Sequence, residues 1–220
     1  GGVSGVRRFE GVSTLNSDFK LNSMSPAKVL LEDCASHGLR ADGGTTVINV
    51  SNAVVQRSGN VDGAAVWLIN GVSTTFRKVL IAEARSIGVA VLGPGLTSLD
   101  AEDFVLKTTR LESGDSSGLG LVVQDEVDVA LSRVLIQRAA RVGLLVVGPG
   151  AMLQAHDFAV EDTRDAGLQA LNVGVGVGPG VTLDIDRMRL SRNVGGGFAA
   201  GEMGQKALSL RNVVIEDSRP

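Results

Sequence analysis

The chain is short of aromatic residues. Phe, Trp and Tyr together make up 3% of 220 residues, with no Tyr and one Trp, Trp67. Proteins that grip sugar rings usually offer flat stacking partners, and this sequence has few. Cysteine is nearly missing too. Cys34 stands alone, so no internal disulfide can form and the cysteine count is silent about compartment. No excess of either charge exists: 21 Lys and Arg face 24 Asp and Glu, a formal −3. That gives no electrostatic pull toward nucleic acid, and none is expected as a partner. No apolar run approaches the ~20 residues of a membrane helix, so no span is expected in this segment, and no secretion leader is visible. The sequence opens at Gly1-Gly2 without Met and stops in mid-pattern at Arg219-Pro220, and so reads as an excerpt of a longer protein.

What the chain does have is 44% hydrophobic residues, 29 glycines and an internal repeat. Val134-Leu-Ile-Gln-Arg138 followed by Val142-Gly143-Leu-Leu-Val-Val-Gly-Pro-Gly150 echoes Val79-Leu-Ile-Ala-Glu83 followed by Ile87-Gly88-Val-Ala-Val-Leu-Gly-Pro-Gly95, 55 residues earlier. Asp103-Phe-Val-Leu106 and Asp157-Phe-Ala-Val160 lie 54 apart. The double repeat splits into single coils with apolar anchors at Phe19, Ala53, Val79, Phe104, Val134, Phe158, Met188 and Val213, at gaps of 34, 26, 25, 30, 24, 30 and 25.

Columns taken relative to the anchor carry the physics. Two residues after it stand Leu21, Val55, Ile81, Leu106, Ile136, Val160, Leu190 and Ile215, all aliphatic. Three before it stand Asn16, Val50, Phe76, Ala101, Leu131, Ala155, Ile185 and Leu210. Five before it stand Thr14, Ile48, Thr74, Leu99, Val129, Leu153, Leu183 and Leu208. Within each pair of columns the period is two, as for a strand with one buried face. Between −3 and 0 the parity breaks, so the chain must bend at −2 and −1. Position −1 holds Asp18, Asn52, Lys78, Asp103, Arg133, Asp157, Arg187 and Asn212. Asp and Asn tolerate the left-handed conformation that a sharp two-residue corner needs. A further strand, usually opened by Gly, follows in each coil, giving about three short strands and three turns per coil.

The expected fold is therefore all-β: a right-handed parallel β-helix, or solenoid, of about eight coils with 24–30 residues per coil. It spans 1–220 as one domain, with 1–27 an irregular first coil or lead-in. Eight coils at ~4.8 Å make a stack about 38 Å long. Amphipathic helices are lacking, which excludes an α/β fold. Outside, charge alternates from coil to coil. Position +4 reads Ser23, Arg57, Glu83, Thr108, Arg138, Asp162, Arg192, Asp217. Opposite charges one strand apart attract, so two coils make one charge period, and the repeat is double.

Leu131-Ser-Arg-Val-Leu-Ile-Gln-Arg138 with Gly143-Leu-Leu-Val resembles the right-handed parallel β-helix repeat of pectate-lyase-like proteins. The glycine- and arginine-rich style is similar to that of uncharacterised secreted and surface repeat proteins of high-GC bacteria. The resemblance covers roughly residues 12–220 and implies the fold; that fold hosts lyases, hydrolases, adhesins and passive rods alike. It also implies where to look for chemistry: carboxylates on an outer face holding Ca²⁺, with an Arg as base.

Calcium is disfavoured, because the −1 aspartates Asp103 and Asp157 lie two coils apart with Arg133 between them, and no metal or other cofactor is expected. Hydrolase chemistry needs two carboxylates about 5–9.5 Å apart. Asp184 and Asp186 are the best such pair. His156 shares a column with Ser132 and Asp186, a spread-out Ser–His–Asp line without a visible oxyanion hole. The catalytic candidates are thus Asp184, Asp186 and His156. Extra length in the longer coils falls after the anchor strand and emerges on one side, a common place for a solenoid's binding surface. Its candidates are Arg110, Glu112, Asp115, Arg164, Asp165 and Gln169. Gly-Pro-Gly at 93–95, 148–150 and 178–180 reads as turns, not phosphate loops, for want of a following helix. His37 reads as a lone loop residue. These features together favour a non-catalytic segment of an extracellular or cell-surface protein, a rigid scaffold or binding surface. Its partner would be a polysaccharide or a surface protein, and its state monomeric or joined end to end. The alternative is a polysaccharide lyase or glycoside hydrolase.

Overall fold

In the computed structural model, the described residues are 7–9, 12–15, 18–22, 29–44, 46–59, 63–110, 118–164, 172–201 and 207–219, with side chains described from Val29 onward. They contain no helix. The strands are β1 (Arg7–Phe9), β2 (Val12–Leu15), β3 (Asp18–Asn22), β4 (Val29–Glu32), β5 (Leu39–Asp42), β6 (Val47–Gln56), β7 (Ala64–Ile69), β8 (Ser73–Arg85) and β9 (Ile87–Leu92). They continue as β10 (Thr97–Arg110), β11 (Leu119–Gln124), β12 (Val127–Gln137), β13 (Val142–Val147), β14 (Met152–Glu161), β15 (Val173–Val177), β16 (Thr182–Ser191), β17 (Phe198–Ala200) and β18 (Leu208–Glu216). From β4 on the chain alternates between two sheets. One runs β1-β4-β6-β8-β10-β12-β14-β16-β18 with β3 also on β6, and the other β17-β15-β13-β11-β9-β7-β5-β2. Every pairing is parallel, as in a parallel β-helix.

The anchors stack in register: Val29, Ala53, Val79, Phe104, Val134, Phe158, Met188 and Val213 are successive neighbours. Ile81, Leu106, Ile136 and Val160 form one interior file, each 0% exposed. Phe76, Phe104 and Phe158 are the largest buried side chains. Burial of each aliphatic residue contributes roughly 1.5–3 kcal/mol.

The first coil departs from the expected register. Its anchor is Val29, not Phe19: Phe19 pairs with Ile48 and Leu21 with Val50, so these two fill the −5 and −3 columns. Thr14 belongs to the second sheet, opposite Ala41. The extra residues 23–28 between β3 and β4 broke the constant spacing on which the sequence reading relied. The corrected gap, Val29 to Ala53, is 24 residues, within the range of the other coils. β1 adds a further partial rung, with Phe9 beside Leu31.

The bend is a single left-handed residue at −1, not the expected two-residue corner, because the residue at −2 keeps its place in the ladder. Asn52, Lys78, Asp103, Arg133, Asp157, Arg187 and Asn212 have φ between 51° and 57°. The backbone ladder skips that residue and resumes, so the two legs form one bent strand rather than two. A second left-handed corner stands at +4, where Asp33, Arg57, Glu83, Thr108, Arg138, Asp162, Arg192 and Asp217 have φ between 49° and 62°. A non-glycine residue there gives up about 1–2 kcal/mol. Its side chain is thrown outward, where the charged pairs described below form.

After the second corner comes a buried file of small residues: Cys34, Ser58, Ala84, Thr109, Ala139, Thr163 and Asn193. Several satisfy backbone groups that the corner leaves open. Thr109 Oγ1 accepts from Ala140 N at 3.0 Å, Asn193 Oδ1 accepts from Thr163 N at 3.2 Å, and Asn193 Nδ2 donates to Val160 O at 3.1 Å. Unpaired buried donors cost far more than these bonds contribute. The glycines opening the second-sheet strands have a steric reason. A Cβ on Gly88 would collide with Leu106 Cδ1, and one on Gly143 with Val160 Cγ1.

Candidate functional site

The outer face of the first leg carries three files, and two of them form the groove. Position −4 runs Asn49, Thr75, Asp100, Ala130, Gln154, Asp184, Ser209; position −2 runs Ser51, Arg77, Glu102, Ser132, His156, Asp186, Arg211. Coil five contributes only the small residues Ala130 and Ser132 to these two files. A groove of about 300 Å³ opens over them, lined also by Asp100, Gln154, His156, Asp184, Asp186 and Arg211. All three catalytic candidates therefore line one groove.

Ser132, His156 and Asp186 are adjacent in three successive coils, as the column reading expected. Their chemistry differs from a nucleophile triad. His156 Nδ1 stands 3.3 Å from Asp186 Oδ2. Its Nε2 receives a hydrogen bond from Arg187 Nη2 and lies 3.5 Å from Asp157 Oδ2. An Nε2 that accepts from a guanidinium puts the ring proton on Nδ1, facing Asp186. Ser132 has no hydrogen bond to His156, and the nitrogen that would deprotonate it is occupied. Asp186 accepts from Asn212 Nδ2 at 2.8 Å. That bond, with the nearby Arg187, His156 and Arg211, holds its carboxyl below the usual carboxylate range. A general acid needs the opposite shift. Asp184 faces Arg211 Nη2 at 3.1 Å.

Four clamps of one design stand at the left-handed corners. Each joins an arginine at a left-handed corner to the aspartate at the same corner of the preceding coil. Arg57 Nε meets Asp33 Oδ1 at 2.8 Å, and Arg133 meets Asp103, Arg187 meets Asp157 and Arg192 meets Asp162 at 2.6 Å. Arg57, Arg187 and Arg192 add a second, Nη2 bond to the same carboxylate. The guanidinium bond is the first cause holding Asp103, Asp157 and Asp162 below the ordinary carboxylate range. Charge alternation from coil to coil is thus present; the guanidinium bonds join coils in pairs, while Lys78, Arg133 and Arg138 act electrostatically on Asp103, Asp157 and Asp162 from the other side. Arg138 joins no clamp: the residue below it at the same corner is Thr108, and Arg138 Nε is buried without a hydrogen-bond partner. Arg133 lies on Asp103, as the argument against calcium supposed. Among the described residues, no three His, Cys, Asp or Glu come together as a metal-holding group.

The loop candidates divide. Arg110 pairs with Glu83, and Arg164 donates its backbone N to Ala139 O at 2.9 Å. Both are exposed and stand six residues past their anchors, on the same side. Glu112, Asp115, Asp165 and Gln169 lie outside the described residues. His37 packs edge-on against Trp67, ring centroids 5.5 Å apart. Burial, then Arg40, pushes its imidazole below the usual range. Sequence reasoning missed that pair, which joins residues 30 apart, His37 in the turn before β5 and Trp67 in β7. It also missed the half-buried aliphatic file Leu30, Val54, Leu80, Val105, Leu135 and Ala159, one residue past the anchors, which a column count at +1 would have found.

No family model matches the chain, and neither a curated protein nor a solved structure is detectably similar to it. No helix among the described residues is long and apolar enough to cross a membrane.

Proposed function

We propose that this chain is a non-catalytic β-helix segment of an extracellular or cell-surface protein, a rigid stack whose grooved face serves as a binding surface. The observation that carries the reading is that the groove's ionic side chains engage one another: Asp184 with Arg211, Asp186 with Asn212 and His156, Asp100 with Arg77. An active site ordinarily keeps a nucleophile or base exposed to its substrate, and breaks local rules that the rest of the chain obeys. Here the repeat continues through the groove without interruption. The scarcity of aromatics argues the same way.

The pectate-lyase-like resemblance keeps a lyase or hydrolase as the rival, with Asp184, Asp186 and His156 as its site. The pairing weighs against a polyuronate substrate too: the guanidinium groups that an anionic chain would need already face Asp100, Asp184 and Asp186. The test is a cleavage screen over polyuronates and neutral polysaccharides, run beside a glycan-binding array. The proposal expects no cleavage. Turnover of any glycan that is lost in Asp184→Asn or Asp186→Asn would overturn it.

A further inference from the structure

Asn70-Gly71, in the turn that leaves β7, is the one Asn-Gly pair in the chain. Asn70 is exposed and left-handed, with φ 60°, and Gly71 follows with φ 84°. An asparagine before glycine is open to attack on its side-chain amide by the next backbone nitrogen, because glycine puts no Cβ in the way. Here side chains from the coils on either side hold both reacting groups. Gly71 N donates to Thr97 Oγ1 at 2.9 Å, and Thr97 Oγ1 donates in turn to Leu92 O at 2.9 Å. Asn70 Nδ2 donates to Asp42 Oδ1 at 2.7 Å. Thr97 is 0% exposed, in an interior file with Thr46, Val72, Val127, Ala151 and Val181. Four members of that file are aliphatic, and a valine would fill the place with no polar atom to satisfy. The two threonines break the apolar rule, and both spend their hydroxyls on these turns: Thr46 Oγ1 donates to Asp42 O at 3.2 Å.

We propose that Asn70 is a site of spontaneous deamidation and that Thr97 is the residue that keeps it closed. In the reaction, Gly71 N gives its proton to solvent hydroxide and bonds to Asn70 Cγ. The Cγ–Nδ2 bond breaks, and ammonia leaves with a proton taken from water. Water then opens the cyclic imide. Breaking its bond between Gly71 N and Cγ gives aspartate. Breaking its bond between Gly71 N and the Asn70 carbonyl carbon gives isoaspartate, with the main chain rerouted through Cγ. Water is consumed and ammonia released, with no change of oxidation state. The bond to Thr97 keeps the proton on Gly71 N, so the turn must open before the nitrogen can attack. Either product undoes the turn. Aspartate sets a second carboxylate against Asp42, and like charges one strand apart repel. Isoaspartate lengthens the main chain beside Gly71, where even a Cβ would stand 2.6 Å from Gly95 O and 2.9 Å from Gly44 Cα. The modification therefore loosens three successive turns of the stack.

The intact chain is incubated at mildly alkaline pH, and conversion of Asn70 is followed by peptide mapping and mass spectrometry, with the aspartate and isoaspartate forms separated chromatographically. A synthetic peptide of residues 67–74 supplies the unguarded rate. The peptide should convert fastest and the parent chain slowest. Thr97→Val should speed conversion in the folded chain about tenfold, the effect on local opening of losing one partly buried hydrogen bond. Gly143→Ala strains the stack away from this turn and should convert at the parent's rate. Asn70→Asp carries one product from the start and should melt below the parent. The proposal fails if the parent chain converts as fast as the peptide, or if Thr97→Val converts no faster than the parent. It fails also if Gly143→Ala speeds conversion as much as Thr97→Val does, which would assign the protection to the stability of the whole stack. An Asn70→Asp variant that melts with the parent would overturn the claim that conversion loosens the turn.

Discussion

Replacing Gly143 by Ala tests how closely the two sheets approach. The new methyl would collide with Val160 Cγ1 and stand 3.4 Å from Val160 Cβ and 2.7 Å from the carbonyl oxygen of Gly174 in the next coil. Gly143 does not have a left-handed φ, so the cost is steric rather than conformational. Overpacking of this kind costs about 1–3 kcal/mol. At about 2–4 °C per kcal/mol for a chain of this length, Tm should fall by about 2–12 °C. Val160→Ala alone removes two buried methyl groups at about 0.8 kcal/mol each, plus a cavity penalty. In the double variant the methyl introduced at position 143 enters space that the valine vacated, and only the contact with the Gly174 carbonyl persists. The double variant should therefore be less destabilised than the sum of the singles, by about 1–2 kcal/mol. The assay is urea unfolding followed by both far-UV circular dichroism and Trp67 fluorescence, because a solenoid can unfold in sections and the two probes must coincide. Additivity within about 0.5 kcal/mol, or a neutral Gly143→Ala, would refute the argument that this file is glycine because coil packing leaves no room.

Other outcomes follow from the same structure. Thr74 is buried between Ile48 and Leu99 with its hydroxyl unpaired, so Thr74→Val should raise stability by about 1–2 kcal/mol; a loss in thermal melting would contradict this. Arg192→Glu should lower Tm more than Arg192→Ala, because it sets like charges beside Asp162 and Glu161, and equal effects would remove the clamp argument. Arg138→Glu should be milder, since Arg138 holds no clamp. Asp103, Asp157, Asp162 and Asp186 are held below their unfolded-state values, so the stability they contribute is full above about pH 4 and is lost as pH falls through their folded values. Tm should be flat from about pH 8 to 5 and drop below about pH 4, with a smaller drop when the four are replaced by Asn; an unchanged acid limb in that variant would show that the clamps do not set it.

The interior was legible because burial imposes a period of two and the repeat samples each column eight times. Ile81, Leu106, Ile136 and Val160 could be placed together from sequence alone. The corner at −1 was legible from broken parity, and the chemistry of Asp and Asn gave its conformation. The +4 corner was not, since Arg57, Arg138 and Arg192 are poor advertisements for a left-handed φ and stand out in sequence only as a charge file. The first coil was misregistered because the residues between β3 and β4 lengthen it locally, and columns cannot detect an insertion in a single copy. The groove was half legible. His156, Asp184 and Asp186 were chosen for their chemical types and do share it, but it exists because Ala130 and Ser132 are small, and a missing side chain attracts no notice in a sequence. That Arg187 occupies His156 Nε2 depends on how a corner aims a long side chain, which composition cannot convey.

Coils stacked directly over one another underlie every claim above, and distances along one outer file measure that stacking. Val47, Asp128, Met152 and Thr182 lie in the same file, with Asp128 three coils, Met152 four and Thr182 five from Val47. Spin labels placed pairwise at these sites in a Cys34→Ala background, read by pulsed electron–electron resonance, should give backbone separations of about 14, 19 and 24 Å, rising by ~4.8 Å per coil. Distances that fail to climb in equal steps with coil number would contradict the stack and everything built on it.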